Sequence, residues 1–543
     1  MSPLRLPATP DRPAAGLAAF LLLGGLVSLA KGVDANWDLA NYHFYNPWAW
    51  LHDRLAFDYA PAQMQSYHSP FLDLPYYALV RAGVPAAAVA FVMGFPFGAA
   101  VFFFHRIARA VLADLRVART GLALAAVGVV ALTGAAGLSQ VGSTMNEWST
   151  AAFVVAALAL LLRAVRDEGR VPIAPCAGAG LLAGVAVGLK LPAAIYAVAL
   201  LGAALGSLGR RPGGVRALLA YAAACAAGFA AAYGYWAWVL WERFGNPFFP
   251  YFNDLFRSEY WEPVAFRDPA FRPKKLNQWL TLPFKLAERN RLVGEAEMRD
   301  PRLAVLIVVA TALLVSLVAQ ARRERRPLAA LVRERMPASV GFLVLFAALS
   351  YVLWLVAFTI YRYAIPLELV ASLLLVLALR AAFAGGVHRD ALVAVFAGFV
   401  VVATYVPYWG RLPLHLGPAV HASVPPVPRE ALVMIFTQAP LGYVVPFIES
   451  GARVIRPASG FTGPAHDNRL RREMAALVAA QQGPMFVIRR ADERDPDEET
   501  MLARYGLRRV DERCQPFGAS FDAHLALCPL DRQRPDGVDF DRG

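Results

Sequence analysis

The feature that most constrains this chain is a series of long apolar runs that recurs along most of its length. A helix that crosses a membrane needs roughly 20 apolar residues. Only 17% of the residues are charged and 58% are hydrophobic, against about 25% and 45–50% in soluble proteins. The chain is therefore predicted to be a mainly α-helical, polytopic membrane protein. About eleven transmembrane helices are predicted, at residues 14–31, 84–112, 120–138, 149–165, 173–189, 192–209, 215–241, 302–320, 338–359, 364–384 and 389–407.

Arginines in the short connections predict the topology. A net charge of +13 would suggest a nucleic-acid partner in a soluble protein. Here many of the arginines lie between apolar runs, which is typical of cytoplasmic loops, and no nucleic-acid partner is predicted. With a cytoplasmic amino terminus, two long loops at residues 32–83 and 242–301 fall on the outer side. A basic cluster at 272–275 lies in the second of these loops, where the charge rule is weak.

The sequence changes character after residue 408. Short apolar runs within 428–449, 484–490 and 521–530 surround a predicted helix at 467–481, which is typical of a small α/β domain. We therefore predict a membrane domain at 1–408 and a soluble domain at 409–543. On the oxidising outer side, Cys514 and Cys528 are predicted to form a disulfide. The chain contains no evident internal repeat, which argues against the inverted-repeat plan of many transporters.

Unusual polar residues gather in the loops predicted to lie outside. An aspartate in a desolvated cleft at the membrane surface can act as a general base. Two cations at tight turns on the same side can hold a phosphate. This convergence predicts an outward-facing site. Its candidate residues are Asp34, Asp38, Tyr42, His43 and His68 of the first loop, Asn146 and Glu147 before the fourth span, Lys190 at its turn, and Arg362 with Tyr363 between spans nine and ten.

Each candidate also has an ordinary structural interpretation. Asn46-Pro47 predicts two short helices, at about 38–45 and 47–54, with aromatic side chains that can form an interfacial belt. Asp38 can then be a helix cap, and Glu147 can stabilise the start of its helix. Lys190 and Arg362 can instead reach lipid headgroups.

Metal and nucleotide signals are weak in this sequence. His43 and His68, with aspartates of the same loop, have the side chains to bind a divalent cation, but no zinc-protease or paired-cysteine motif is present. No phosphate-binding loop or dinucleotide fingerprint occurs, so no nucleotide cofactor is predicted. An activated group must then arrive already attached to a carrier.

Five short motifs occur in order within residues 14–408. They are Asp34-Ala-Asn-Trp-Asp38 followed by Tyr42-His43, Asn146-Glu147-Trp148, GLLAGVAVGLKLPAAIY at 180–196, GNPFFPYFN at 245–253, and IYRYAIPLE at 360–368. Together they resemble the GT-C superfamily of integral-membrane glycosyltransferases, which use polyprenyl-phosphate-linked sugars. A soluble periplasmic domain after the last span is also common in that superfamily.

The resemblance implies a catalytic role for the first loop. The family's first-loop aspartate, which deprotonates the acceptor hydroxyl, corresponds to Asp38, with Asp34 as the second candidate. This sequence lacks the adjacent Asp-Glu pair of some members, which leaves the choice of base and any use of metal open. Lys190 and Arg362 are expected to stabilise the departing lipid phosphate, and a single displacement predicts inversion at the anomeric carbon. Substrate binding is expected of Tyr42, His43, His68, Asn146, Glu147 and Tyr363.

The resemblance also implies partners and a location. The donor would be a polyprenyl-phosphate-linked sugar, and the acceptor a glycan, a lipid or a protein. The protein would lie in a bacterial inner membrane, with its amino terminus in the cytoplasm and its carboxyl-terminal domain in the periplasm. Competing hypotheses are a transporter or flippase, which calls for ionisable residues deep within spans, an O-antigen-ligase-like enzyme acting on lipid-linked glycans, and a non-catalytic scaffold.

Overall fold

The computed structural model describes residues 13–265, 270–384, 388–459, 461–463, 465–492 and 496–533. By the density of its internal contacts the chain divides into two compact units. The first, which we call the helical unit, comprises Met1–Lys31, Ala90–Ala232 and Asp268–Trp409. The second, the mixed unit, comprises Gly32–Val89, Tyr233–Arg267 and Gly410–Gly543. The predicted boundary at residue 408 remains a prediction, since contact density groups residues without reference to a membrane.

Helices dominate the helical unit, and two of its helices, Ala86–Met93 and Gly214–Phe244, have residues in both units. Short 3-10 turns at Leu191–Ala193 and Tyr361–Ala364 interrupt the apolar runs where the sequence predicts tight connections. The remaining helices are Pro13–Lys31, Phe95–Asp114, Thr120–Leu132, Ala135–Ser139, Glu147–Arg166, Ile173–Leu189, Ala194–Leu208, Leu276–Lys285, Arg302–Glu324, Leu328–Arg335, Ala338–Ala357, Ile365–Ala382 and Arg389–Ala403.

Among the described residues, eight helices are long and apolar enough to cross a membrane. The protein is therefore a multi-pass membrane protein, as predicted. Three of the predicted spans correspond to shorter helices, Thr120–Leu132, Ile173–Leu189 and Arg389–Ala403. The number eleven thus remains a prediction, whereas a helix is present at each of the eleven positions.

Glycines allow one helix pair to approach closely. A Cβ added to Gly180 would lie 2.1 Å from the carbonyl oxygen of Tyr221, and one added to Gly184 would lie 2.0 Å from that of Cys225. In a bilayer, small residues let helix backbones approach and gain dispersion energy. Helix Ile173–Leu189 is thereby held against Gly214–Phe244, which fixes where its carboxyl-terminal end lies.

The mixed unit contains the only sheets in the described chain. Val33–Asp34 pairs antiparallel with Arg411–Leu412. A second sheet has six strands, of which Leu432–Ile435, Arg453–Ile455 and Met485–Arg490 are parallel neighbours. The remaining strands of that sheet are Leu507–Arg509, Gln515–Ala519 and Asp522–Arg532, each antiparallel to a neighbour.

Two helices, Arg469–Ala480 and Pro496–Arg504, accompany this sheet, so the predicted small carboxyl-terminal α/β region is confirmed. A disulfide joins Cys514 to Cys528. The shorter elements of the mixed unit are the π-helical turn Leu39–His43, the helices Tyr45–Leu51, Leu74–Arg81 and Asn253–Phe256, and the 3-10 turns Gln63–Tyr67, Gly442–Phe447 and Asp511–Arg513.

A buried ion pair connects the first loop to the six-stranded sheet. The Arg54 guanidinium donates two hydrogen bonds, of 2.8 and 2.7 Å, to the Asp58 carboxylate. It also donates to the carbonyl oxygens of Gly451 and Ala452. Asp58 in turn accepts a hydrogen bond of 2.9 Å from the backbone N–H of Val454. Segments almost four hundred residues apart therefore share one unit.

Removing the guanidinium should destabilise the mixed unit in a pH-dependent way. Burial raises the pKa of the Asp58 carboxyl, and the Arg54 charge opposes that rise. Breaking a buried pair costs about 3–5 kcal/mol, so Arg54→Met should lower the free energy of unfolding by that amount at neutral pH. Without Arg54 the carboxyl takes up a proton at higher pH, and the loss should shrink as the pH falls.

Thermal unfolding of purified protein between about pH 5 and pH 8 measures this effect. Arg81→Met, at an exposed arginine that ends helix Leu74–Arg81, is the control and should change little. A loss equal at every pH would contradict the role assigned to Asp58.

Candidate functional site

Glu147 lies at the centre of a group of charges in the helical unit. It is the first residue of helix Glu147–Arg166, and its side chain is only 3% exposed. The preceding Asn146 has a φ of 65° and makes no side-chain cap. The Lys190 ammonium, just beyond helix Ile173–Leu189, donates to Glu147 Oε2 at 2.5 Å and to the Met145 carbonyl at 2.6 Å. Two short hydrogen bonds thus fix the lysine.

Arg362 lies beside the same carboxylate at a longer distance than Lys190. Its Nε lies 3.8 Å from Glu147 Oε1, and its Nη2 lies 3.9 Å from Glu295 Oε1. The rings of Tyr363 and Trp409 flank the guanidinium, with centroids 5.4 and 6.0 Å from Cζ. A guanidinium can bind a phosphate through two parallel hydrogen bonds, so Arg362 is suited to an anion in this place. We refer to Glu147, Lys190 and Arg362 as the Glu147 cluster.

A cavity opens beside the Glu147 cluster, and together with the solvent at its mouth the space measures about 310 Å³. Its polar lining comes from the three charged side chains and from Thr150, Tyr196 and Tyr363. The Tyr196 hydroxyl donates to the Tyr363 carbonyl at 2.6 Å, which ties the turn that carries Arg362 to a neighbouring helix. Two cations face one buried carboxylate, so the cavity has an excess of positive charge. The apolar lining consists of Ala151, Val154, Pro192, Ala193, Ile365 and Pro366.

A buried network that the sequence analysis missed supports the turn of Arg362. Glu368, six residues further on, accepts hydrogen bonds from the backbone N–H groups of Ala136 and Gly137 at 3.0 and 2.9 Å. Asp300 accepts from the N–H of Ala135 at 3.1 Å and pairs with Arg302. Glu368 could have been identified from the sequence, because a carboxylate at the start of an apolar span needs a hydrogen-bond donor or a cation beside it. Glu368 ends the motif IYRYAIPLE but was given no role.

Asp34 is buried in the mixed unit, in the strand that pairs with Arg411–Leu412. The side-chain amide of Asn36 donates to Asp34 Oδ2 at 2.7 Å. Burial, aided by the negative charge of Asp34, raises the pKa of the Tyr76 hydroxyl well above its ordinary value. Tyr76 therefore stays protonated near this carboxylate.

Asp38 occupies a different environment at the start of the π-helical turn Leu39–His43. Its side chain is intermediate in exposure and makes no capping hydrogen bond. Asn36 takes that role, since its Oδ1 accepts from the N–H of Leu39 at 2.8 Å. The interpretation of Asp38 as a helix cap is therefore wrong.

The break between the two short helices of the first loop also differs from the prediction. It falls at Phe44, between Leu39–His43 and Tyr45–Leu51, so the predicted break at Asn46-Pro47 is wrong by about two residues. Pro47 lies in the first turn of the second helix, where a missing backbone N–H costs no intrahelical hydrogen bond.

The two candidate histidines of the first loop have protein partners. His43 Nδ1 lies 2.8 Å from Asp73 Oδ1, and both side chains are buried. His68 Nε2 lies 3.0 Å from the Tyr251 hydroxyl. The Tyr42 ring contacts both imidazoles, with centroid distances of 4.0 and 5.3 Å. Within the described ranges, no group of three or more His, Cys, Asp or Glu side chains could hold a metal ion, and the divalent cation remains a prediction.

The predicted site residues therefore fall into two sets. Asp34, Asp38, Tyr42, His43 and His68 belong to the mixed unit. Asn146, Glu147, Lys190, Arg362 and Tyr363 belong to the helical unit. Within the second set, the structure brings together the Glu147 cluster and the Tyr363 ring, while Asn146 precedes the helix and is not part of the cavity lining. The roles assigned to both sets remain predictions.

The fold is similar to that of ArnT from Cupriavidus metallidurans. The structure of ArnT bound to undecaprenyl phosphate matches with a TM-score of 0.52 and 13% identity, over 96% of this chain and 98% of that chain. The apo structure of ArnT matches with a TM-score of 0.49 and 13% identity, over 95% and 97%. No protein-family model and no curated protein sequence matches. ArnT is a GT-C glycosyltransferase, so the predicted GT-C-like fold is confirmed.

The ion pair between Glu147 and Lys190 should show strong energetic coupling. Either single variant, Glu147→Gln or Lys190→Met, removes the nearest oppositely charged group from a largely buried charge. We expect a coupling free energy of about 1–3 kcal/mol in a double-mutant cycle on thermal unfolding.

The matched control is the cycle for Lys285 and Glu288, whose groups lie 3.1 Å apart but are 50% and 63% exposed. Exposed pairs contribute little, so this coupling should stay below about 0.5 kcal/mol. Equal coupling in the two cycles would argue against a special role for Glu147.

Proposed function

We propose that the protein is a membrane glycosyltransferase that moves a sugar from a polyprenyl-phosphate-linked donor to an acceptor hydroxyl. The Glu147 cluster carries the proposal, because it presents two cations on one buried carboxylate beside a partly apolar cavity. The fold adds support, since the ArnT structure that it resembles contains undecaprenyl phosphate.

Lys190 and Arg362 are assigned to the phosphate of the donor. Lys190 is oriented by Glu147 and the Met145 carbonyl. Arg362 lines the same cavity, and its guanidinium can form charge-assisted hydrogen bonds with a phosphate oxygen. The apolar lining of the cavity suits the first carbon atoms of a prenyl chain. Fixed positive charge beside the leaving phosphate stabilises the negative charge that develops there during transfer.

Asp38 is assigned as the general base, with Asp34 as the second candidate. The acceptor oxygen attacks the anomeric carbon, the bond from that carbon to the phosphate oxygen breaks, and the acceptor proton passes to Asp38. Polyprenyl phosphate leaves, and the configuration inverts. Exposure supports this choice, because Asp38 is only partly buried while Asp34 is 5% exposed and held by Asn36.

The remaining assignments concern location and partners. We place the protein in a bacterial inner membrane, with a cytoplasmic amino terminus and with chemistry on the periplasmic side. The acceptor is a glycan, a lipid or a protein, and no nucleotide takes part. Tyr42, His43, His68, Asn146 and Tyr363 are assigned to substrate binding. The first loop is the place for a divalent cation, and turnover measured with and without EDTA tests for one.

Loss of either cation should weaken binding of the lipid phosphate. A hydrogen bond between charged groups contributes about 1.5–3 kcal/mol, so Lys190→Met and Arg362→Met should each lower the affinity for polyprenyl phosphate about tenfold to a hundredfold. Binding to the detergent-solubilised protein can be measured by titration. Arg289→Met is the control, since that arginine is 54% exposed and pairs with Glu297. Unchanged binding in both cluster variants would remove the phosphate assignment.

Removal of the base should abolish transfer without affecting binding. General base catalysis contributes about 10²–10⁴-fold, so Asp38→Asn should lower turnover at least about a hundredfold while its affinity for polyprenyl phosphate stays unchanged. The assay uses purified protein with a panel of polyprenyl-phosphate sugars, and Asp34→Asn is run in parallel. Full turnover in Asp38→Asn, with loss in Asp34→Asn, would transfer the role to Asp34.

The same panel separates the competing functions. A transporter or flippase moves the lipid-linked substrate across vesicles with no new glycosidic bond. An O-antigen-ligase-like enzyme is inactive on single lipid-phosphate sugars and active on lipid-linked glycans. A glycosyltransferase of the proposed kind yields the glycosylated acceptor together with free polyprenyl phosphate.

A further inference from the structure

Arg362 lies between two cavities of the helical unit. The first is the cavity of the Glu147 cluster, and the second is a cleft open to solvent that Arg362 also lines. The charged and aromatic side chains that line the second cavity are Arg362, Glu295, Tyr361 and Trp409. The rest of its lining is Ala136, Ser139, Val293, Gly294, Ala296, Met298, Ile360 and Pro407.

A narrow hairpin positions Glu295 at this second cavity. Asn290 and Met298 exchange two backbone hydrogen bonds of 3.0 and 2.9 Å, which close the hairpin. Val293 is fully buried, and its carbonyl accepts from the N–H of Tyr361 at 2.8 Å. Glu295 follows two residues later at the tip. The hairpin is thus attached to the 3-10 turn that carries Arg362, which fixes the carboxylate near the guanidinium.

The contact between Glu295 and Arg362 is weak in spite of this positioning. The two groups lie 3.9 Å apart, and the Glu295 side chain is 50% exposed. A long contact to a half-exposed carboxylate contributes little to stability. Glu295 is therefore poorly explained as a structural counter-ion, and its carboxylate oxygens remain accessible from the cavity.

Trp409 provides the aromatic side chain of the same cavity. Its indole N–H donates to Ser139 Oγ at 3.2 Å, which fixes the ring, and its ring centroid is 6.0 Å from the Arg362 guanidinium carbon. A fixed aromatic face beside a carboxylate suits a ligand that has both C–H faces and hydroxyl groups. Carboxylate oxygens accept hydrogen bonds from hydroxyls, and an apolar wall with a few placed polar groups is typical of sites for small ligands.

We propose that Glu295 and Trp409 form the site for the sugar of the donor, and that Glu295 selects the sugar by accepting a hydrogen bond from one of its hydroxyl groups. This proposal rests on the proposed function, since it places the donor phosphate at Arg362. In a lipid-phosphate sugar, one oxygen atom separates the phosphorus from the anomeric carbon, so the ring must lie next to the group that binds the phosphate. Among the described residues that line the second cavity, Glu295 is the only carboxylate.

Two lipids distinguish this role from a purely electrostatic one. If Glu295 only reduced the charge of Arg362, its removal would change the binding of every lipid phosphate alike. A carboxylate that binds the sugar matters only when the sugar is present. The decisive comparison is therefore between sugar-free polyprenyl phosphate and the same lipid carrying the sugar that the unaltered protein prefers.

The experiment titrates the detergent-solubilised full chain and its Glu295→Gln variant with both lipids. We expect the variant to bind sugar-free polyprenyl phosphate within about twofold of the unaltered protein and to bind the sugar-linked lipid about tenfold more weakly, because a neutral amide oxygen accepts a weaker hydrogen bond than a carboxylate does. Glu297→Gln is the matched control, because Glu297 lies in the same hairpin but pairs with Arg289 at 2.7 Å.

Deoxy analogues of the donor sugar identify the hydroxyl. Removal of that hydroxyl should weaken binding to the unaltered protein, and it should have a clearly smaller effect in the Glu295→Gln variant. Equal changes for the two lipids, or no change for either, would overturn the proposal while leaving the phosphate site intact. Failure of the unaltered protein to bind either lipid would instead overturn the proposed function, and this proposal with it.

Discussion

The arrangement of the helical unit is constrained by the free-energy cost of burying charged side chains. A carboxylate removed from water is tolerated only if cations or hydrogen-bond donors replace its hydration. Glu147, Asp300 and Glu368 are each at most 5% exposed, and each meets that requirement differently. Glu147 has Lys190 and Arg362, Glu368 has two backbone N–H groups, and Asp300 has a guanidinium and a backbone N–H. The elements that supply these partners must converge, and their convergence produces the charged cavity.

The sequence could predict the helices because the bilayer leaves the backbone few alternatives. A long apolar run must satisfy its own N–H and C=O groups, which a helix does. The interruption at Lys190-Leu191-Pro192 could also be predicted, because proline lacks the backbone N–H that a continuous helix needs. The tight link at Tyr361–Ala364 was predicted from its polar residues between two apolar runs.

The partners of individual side chains could not be predicted to the same degree. The contact between Glu147 and Lys190 depends on how helix Ile173–Leu189 packs against helix Gly214–Phe244. That packing depends on Gly180 and Gly184. The pairing of His43 with Asp73 joins residues thirty positions apart, and no local pattern encodes it. Pro47 did not fix the position of the break, because proline is tolerated at more than one position in the first turn of a helix. Local sequence patterns thus predict which residues lie at the ends of helices, whereas tertiary packing determines which side chains those residues contact.

The strand pair between Val33–Asp34 and Arg411–Leu412 links the residues that follow the first apolar helix with those that follow the last. A two-residue strand is not stable alone, because its backbone groups need a partner strand. Asp34 therefore takes its backbone conformation from residues that follow the last apolar helix. A shortened chain that ended before residue 410 would therefore also lose the partner strand of Asp34, the second candidate for the catalytic base.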